Sequence, residues 1–125
     1  MSLSVDVFVV GTDGELQILD VPEGASDLAG FERWRTTVWG SDTVGSLGAR
    51  FFPQLSSDDL KVEPSEVSAF LQECALLRKH LEDIATRTVR PRTLEEHRHA
   101  LSRRLANIEN AANRAQSIGG GVLIW

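Results

Sequence analysis

The fold of this chain is decided by its second half, which reads EPSEVSAFLQECALLRKHLEDIATRTVR (63–90), PRTLEEHRHALSRRLANIENAANRAQS (91–117) and IGGGVLIW (118–125). Apolar residues in the first two pieces recur at steps of three and four, which is the spacing of amphipathic helices that bury one face. Pro64 suits the first position of a helix that ends near Arg87, before Pro91. Thr93 with Glu96 forms a capping box at the start of a second helix. The sequence therefore predicts a long hairpin of two helices.

Strand-like stretches at the two ends of the chain complete the predicted fold. The glycine triplet 119–121 ends the second helix, and residues 122–125 then read as a strand that pairs with the β-branched run 5–10. Asp13-Gly14 separates that run from another strand-like stretch, which predicts a type I′ hairpin with Val9 opposite Ile18. We expect a single α+β domain over residues 1–125, in which a small antiparallel sheet (the N-terminal hairpin plus the C-terminal strand) packs on the two-helix hairpin.

The segment between the hairpin and the helices carries a third helical pattern. Apolar residues at positions 28, 31, 34 and 38 have helical spacing, so a short helix is predicted from Ser26 or Asp27 through Trp39. Residues 60–62 read as a short edge strand. The predicted core contains Val7, Val9, Ile18, Trp34, Phe70, Leu77, Leu81, Leu101, Leu105, Ile108 and Leu123.

The composition is that of an ordinary globular protein. With 125 residues, 42% of them hydrophobic and 25% charged, the chain is long enough to bury a core without disulfides or metal. A net charge of −5 disfavours general binding to nucleic acid. Cys74 is the one cysteine, so no disulfide forms within the chain, and its place on an apolar stripe predicts a buried, inert thiol.

Targeting signals are absent from the sequence as given. It shows no signal-peptide pattern and no apolar stretch approaching the roughly 20 residues that span a bilayer, so we expect no membrane association and a cytoplasmic location. The basic residues are almost all arginine, with Lys61 and Lys79 the only lysines, and tyrosine does not occur. This bias suggests a GC-rich bacterial genome.

The densest basic cluster lies where the two predicted helices meet. Residues 63–125 hold nine basic and eight acidic residues, whereas residues 1–62 hold four and ten. The simpler interpretation is a solvated surface whose arginines complement the dipole at the end of the first helix. The alternative is a site for an anion or an acidic partner, and its candidate binding residues are Arg90, Arg92, Arg98, Arg103 and His97. No aromatic residue interleaves these arginines, which disfavours nucleic acid as the ligand.

The sequence contains no recognisable catalytic or metal-binding constellation. Glu96 and His99 have the E-x-x-H spacing of di-iron bundles, but a second pair and further glutamates are missing. His97 lies within an apolar stripe, where packing is the favoured role of a histidine. Asp6 and Asp20 lie near the open end of the hairpin with no third group to support acid–base work. We therefore predict no catalytic residue, no bound metal and no cofactor.

These observations favour a non-enzymatic protein-interaction module, such as a small bacterial accessory, regulatory or immunity-type protein, with a protein partner that the sequence does not identify. Its candidate surfaces are the acidic N-terminal half, the arginine-rich elbow between the helices and the loop 41–50. Two alternatives stay open: anion or nucleic-acid binding through the elbow, and a small enzyme or ligand-binding domain with a pocket at His97 or at Asp6 and Asp20. Homodimer formation through an exposed strand edge or an outer helix face stays open too.

Overall fold

A five-stranded antiparallel sheet with helices on one face is the frame of this protein, as shown by a computed structural model that describes residues 2–88 and 92–125. The strands are β1 (Ser2–Val10), β2 (Leu16–Ile18), β3 (Leu28–Phe31), β4 (Leu60–Val62) and β5 (Gly121–Ile124). The α-helices are α1 (Asp42–Ser46), α2 (Val67–Lys79), α3 (Leu81–Arg87) and α4 (Leu94–Ile118). A π-helical turn spans Arg35–Trp39, and 3-10 turns span Phe52–Ser56 and Pro64–Glu66.

The long strand β1 organises the sheet, whose order is β2-β1-β5-β4. β5 pairs with the middle of β1, from Val5 opposite Ile124 to Phe8 opposite Gly121. β2 and β3 share the other edge of β1, with β3 beside its beginning and β2 beside its end. The predicted α+β class, the pairing of the terminal strand with the first one and the short edge strand at 60–62 are confirmed.

The β1–β2 hairpin differs from the predicted register by one residue. Ile18 pairs with Phe8, not with Val9. The carbonyl of Gly11 accepts from the N–H of Gly14 at 2.9 Å, and Gly14 has φ 80°, so the connection is a longer turn that ends in a left-handed glycine. A slip of one residue moves a side chain to the opposite face of the sheet. Ile18 therefore lies on the outer face with 40% of its surface exposed, and its predicted place in the core was wrong.

The helix predicted from Ser26 or Asp27 through Trp39 was wrong for its first part, because residues 28–31 form β3. Gly30 has φ 127°, which no right-handed helix contains, and a β-carbon there would collide with the ring of Trp34. Backbone hydrogen bonds to the open edge of β1 stabilise the strand more than the local helical spacing stabilises a helix. Helical structure in this segment is therefore confined to the π turn.

The helical hairpin agrees with the prediction in its ends but contains one break. His80, with φ −105° and ψ 20°, separates α2 from α3, and α3 ends at Arg87. The hydroxyl of Thr93 accepts from the N–H of Glu96 at 3.1 Å and caps α4 as predicted. Gly119, with φ 71°, ends α4 in the left-handed conformation.

The core lies between the helices and the inner face of the sheet, and most of the predicted core is buried. Val9 and Leu123 are only partly buried, because Val9 lies near the end of β1 and Leu123 faces outward beside Asp6. The buried residues that define this layer are Leu3, Val5, Val7, Val62, Phe70, Leu77, Leu101, Leu105, Ile108, Val122 and Ile124. No helix among the described residues combines the length and the apolar character needed to cross a bilayer.

Candidate functional site

An open groove of about 210 Å³ lies between the first half of α4 and the end of β3, and two of the candidate binding residues, Arg92 and Arg103, line it. A narrower cleft of about 20 Å³ adjoins it and is lined in part by the same residues. We call the two together the arginine groove. Its lining residues are Phe31, Arg33, Trp34, Arg92, Glu96, His97, His99, Ala100, Arg103 and Arg104.

One wall of the arginine groove is a single face of α4. Residues three and four positions apart lie next to each other on a helix surface, so Glu96, Ala100 and Arg103 form one stripe, and Arg104 extends it. The opposite wall comes from β3 and the turn after it, which supply Phe31 and Arg33. The side-chain amide of Asn107 donates to the carbonyl of Leu28 at 2.9 Å and ties α4 to β3.

The arginines of the groove are not neutralised by their surroundings. Among residues 2–88 and 92–125, no carboxylate lies within ion-pairing distance of Arg33, Arg92, Arg103 or Arg104. Glu96 is the one acidic residue in the lining, and its Oε1 lies 3.0 Å from the hydroxyl of Thr93. Four guanidinium groups facing one carboxylate on a concave surface produce a positive potential that attracts anions.

The predicted binding residues are not all brought together. Arg92 and Arg103 line the groove. Arg98 lies on another face of α4, where its Nε is 3.5 Å from the carboxylate of Glu82 on α3, and it lines a separate recess. Five positions separate Arg98 from Arg103, which turns their side chains about 140° apart around the helix axis. Arg90 lies outside the described residues.

His97 forms part of the floor of the narrow cleft and is held there by its neighbours. It is 3% exposed, and its ring meets the ring of Trp34 edge-on at a centroid distance of 6.0 Å. Its Nε2 lies 2.8 Å from the hydroxyl of Thr88, which donates its proton to the carbonyl of Ile84 at 2.7 Å. These contacts hold the imidazole of His97 in place at the floor of the cleft.

The aromatic and basic residues from the N-terminal half are the part of the site that sequence reasoning missed. Phe31 and Arg33 precede the helix by about sixty positions. The guanidinium of Arg33 lies over the ring of Phe31, 5.3 Å from its centroid. No periodicity or motif links these residues to α4, and they reach the groove only because β3 pairs with β1 beneath that helix.

The residues considered for acid–base catalysis and for metal binding do not form such sites among the described residues. One carboxylate oxygen of Asp6 accepts from the indole N–H of Trp125 at 2.8 Å and from the hydroxyl of Ser4 at 3.1 Å. No hydrogen bond joins Asp6 to Asp20 in the part of the chain that the structure describes. Within residues 2–88 and 92–125, no group of three or more histidine, cysteine, aspartate or glutamate side chains is placed to hold a metal ion.

The segment 41–50, predicted as a loop, contains the short helix α1 and ends in a backbone anion site that is filled from within the chain. The carboxylate of Glu73, on α2, accepts from the backbone N–H groups of Arg50, Phe51 and Phe52 at 2.5–3.1 Å. Glu73 is 7% exposed, so these contacts are shielded from water. This arrangement fixes the end of the loop and leaves no room there for an external anion.

No protein-family model, curated protein or solved structure matches this chain. The function is therefore inferred from the geometry and charge of the arginine groove.

Proposed function

We propose that this chain is a non-enzymatic protein-interaction module whose arginine groove binds an acidic segment of a partner protein. The observation that carries the proposal is the convergence of four arginines, without ion pairs to described residues, on one concave surface of a chain whose net charge is −5. A guanidinium presents a planar fork of N–H donors that matches a carboxylate and binds it with two parallel hydrogen bonds. Arginines left unpaired in the free protein keep those donors available.

The size of the groove favours a short acidic segment. A volume of about 210 Å³ holds one or two carboxylate side chains but not an extended folded surface. Phe31 and Ala100 are half-buried and give the two walls of the groove apolar patches, against which the aliphatic part of a glutamate side chain can pack. Charge contacts of this kind speed association and fix orientation, while apolar contacts around them supply much of the affinity.

A bacterial, cytoplasmic setting and an accessory, regulatory or immunity-type role belong to the same proposal. Their support is the arginine-over-lysine bias, the absence of tyrosine and the single buried thiol, Cys74. A free, buried cysteine is compatible with a reducing compartment.

The test compares two double variants that change the net charge equally. Arg92→Gln with Arg103→Gln removes charge from the groove, whereas Arg98→Gln with Arg114→Gln removes it from other faces of α4. Each protein, tagged at its N-terminus, is used to capture partners from native lysate, and affinity for the captured partner is then measured at about 50 and 200 mM salt.

We expect the wild type and the control variant to bind one partner with similar affinity, and the groove variant to bind at least about tenfold more weakly, since each lost charged hydrogen bond contributes about 1.5–3 kcal/mol. Equal loss in both variants, or loss in neither, would refute the groove as the binding surface.

Single-stranded nucleic acid is the second candidate ligand, and the observation in its favour is Phe31. The ring of Phe31 lies among the arginines and is the aromatic group that the sequence pattern lacked, and a base that stacks on it takes the place of the Arg33 guanidinium. A labelled single-stranded oligonucleotide tests this candidate. This candidate is supported if the affinity falls steeply as salt is raised and if Phe31→Ala weakens binding by about 1–3 kcal/mol. An affinity that is independent of salt, or unchanged in Phe31→Ala, counts against nucleic acid as the ligand.

A further inference from the structure

A second surface lies at the edge of the sheet opposite β4, where an exposed strand carries aliphatic and acidic side chains. It consists of β2 and the residues on either side of it, Glu15 to Val21, and we call it the acidic edge. All three residues of β2 are exposed, and within residues 2–88 and 92–125 β2 pairs with β1 alone. An open strand edge of this kind presents unpaired backbone groups to any extended chain that approaches it.

The backbone groups of the acidic edge alternate in direction. The N–H of Gly11 donates to the carbonyl of Glu15, and the N–H of Leu19 donates to the carbonyl of Val7, both at 2.9 Å. In an antiparallel ladder every second residue bonds the neighbouring strand, so the backbone groups of Leu16 and Ile18 point away from β1. These groups form a short row of donors and acceptors that faces solvent.

The side chains along the acidic edge are unusually apolar for a solvated strand. Leu16, Ile18, Leu19 and Val21 are 36–40% exposed, and Val10, which pairs with Leu16, is 53% exposed. Natural edge strands are commonly protected by lysine, proline or a covering loop, and β2 has none of these. Exposed aliphatic side chains that are grouped, as they are here, mark interaction surfaces.

The charge around this edge has a single sign. Residues 1–32 contain seven acidic side chains and no lysine or arginine. Asp13, Glu15, Asp20 and Glu23 are all exposed and flank the aliphatic positions. Complementary potentials steer association, so this edge favours a basic partner.

We propose that the acidic edge binds an extended segment of a partner protein in which aliphatic residues alternate with lysine or arginine, and that the segment joins the sheet as an additional strand beside β2. Main-chain hydrogen bonds to Leu16 and Ile18 supply part of the affinity, and the alternate side chains supply the specificity. This inference does not depend on the arginine groove.

A second copy of the chain fits the acidic edge less well. Antiparallel pairing of two β2 edges with Ile18 opposite Ile18 places Glu15 opposite Val21 and Asp20 opposite Leu16, so Glu15 of one copy lies one position along the strand from Asp20 of the other. Residues 1–32 of each copy carry no lysine or arginine, so the two acidic edges repel each other at this short distance. A basic strand converts the same carboxylates into favourable cross-strand contacts.

The experiment uses the whole chain and two synthetic peptides, acetyl-KVKVKVK-amide and acetyl-EVEVEVE-amide. Binding is measured by NMR titration of the ¹⁵N-labelled protein, together with amide hydrogen exchange. We expect the basic peptide to slow exchange at the amides of Leu16 and Ile18, and the acidic peptide to leave both unchanged. Gln17, whose amide already faces β1, serves as the internal control.

Two variants separate strand addition from simple charge attraction. Ile18→Pro removes an outward N–H that β1 does not use, and it should weaken the basic peptide at least about tenfold, while Ile18→Val should not. If Ile18→Pro fails to fold, Leu16→Pro takes its place with Leu16→Val as its control, because the N–H of Leu16 also points away from β1.

Three results would overturn the proposal. One is unchanged exchange at Leu16 and Ile18 with millimolar basic peptide, and another is equal binding of both peptides. The third is a concentration-dependent dimer in sedimentation that Ile18→Pro abolishes, which would assign the edge to a second copy of the chain.

Discussion

Glu73 should be the most sensitive polar residue in this protein, because a buried carboxylate holds the end of the loop 41–50 against α2. It accepts from the N–H groups of Arg50, Phe51 and Phe52, and among residues 2–88 and 92–125 it is the only acceptor for the N–H groups of Phe51 and Phe52. The ring of Phe52 stacks on that of Phe70 at 5.4 Å, so the loop cannot swing out without uncovering the core. Changing Glu73 therefore tests how strongly one side chain anchors this region.

The expected magnitude follows from the number of buried donors. Each buried N–H left without a partner costs about 1–3 kcal/mol, and Phe51 and Phe52 contribute two such donors, whereas Arg50 is exposed and can turn to water. We expect Glu73→Ala to lower the free energy of unfolding by about 4 kcal/mol. Glu73→Gln keeps one acceptor oxygen and the side-chain volume, so its cost should be about 2 kcal/mol.

Urea denaturation followed by tryptophan fluorescence measures these costs, since Trp34 and Trp39 are buried and report on the core. For a chain of this length, 4 kcal/mol corresponds to a fall in Tm on the order of 15 °C. Glu23→Gln, at an exposed position outside the helices and strands, is the control and should stay within about 0.5 kcal/mol of the wild type. If Glu73→Gln were as neutral as that control, the carboxylate would not be the anchor of the loop.

Three further predictions concern the core, the sheet and the thiol. Leu105→Ala should lower the free energy of unfolding by about 2–5 kcal/mol, because Leu105 is fully buried. Ile18→Ala should lower it by less than about 1 kcal/mol, because Ile18 is 40% exposed. Similar costs for the two variants in urea denaturation would contradict the hairpin register. Gly121→Ala should lower the free energy of unfolding by about 1–3 kcal/mol in the same assay, because a β-carbon at this position would collide with the ring of Phe8. A neutral result would mean that β5 and β1 are less closely packed. Burial raises the pKa of the Cys74 thiol above its ordinary value of 9.0, and the carboxylates of two glutamates nearby raise it further. The folded state therefore holds the proton more tightly than the unfolded chain, so stability should be complete below about pH 9 and should fall above it by up to about 1.4 kcal/mol per pH unit. Cys74→Ala should remove that slope from a pH series of urea denaturation curves, and an unchanged slope would assign the pH dependence to other groups.

The helical hairpin could be predicted because its signals are local. The apolar stripe, the capping hydroxyl of Thr93 and the left-handed Gly119 each act within one or two helical turns, and each lies in the structure where the sequence placed it. The break at His80 was not predicted, because its neighbours keep the helical pattern on both sides. Pairing of the first and last strands was predictable for a related reason, since both are apolar runs bounded by glycine or turn residues.

Strand register and the choice between helix and strand at residues 28–31 required long-range information. An Asp-Gly pair is compatible with a two-residue type I′ turn and with a longer turn, and the two give hairpins that differ by one residue in register and in the face on which Ile18 lies. Residues 28–31 have helical spacing, yet they pair with β1, because an unsatisfied strand edge beside them offers backbone hydrogen bonds that a helix of four residues cannot match.

What the sequence by itself determined is the set of elements whose stability is local: the helices, their caps and the α+β class. What only the tertiary structure decided is the arrangement of groups on the surface. It places Phe31 and Arg33 in the same groove as Arg92 and Arg103. It also places Arg98 outside that groove, beside Glu82. The physical reason is that helix periodicity depends on neighbours three and four positions apart, whereas a binding surface depends on which distant segments pack together. That packing is set by the pairing of β3 with β1 beneath α4, which no short window of sequence contains.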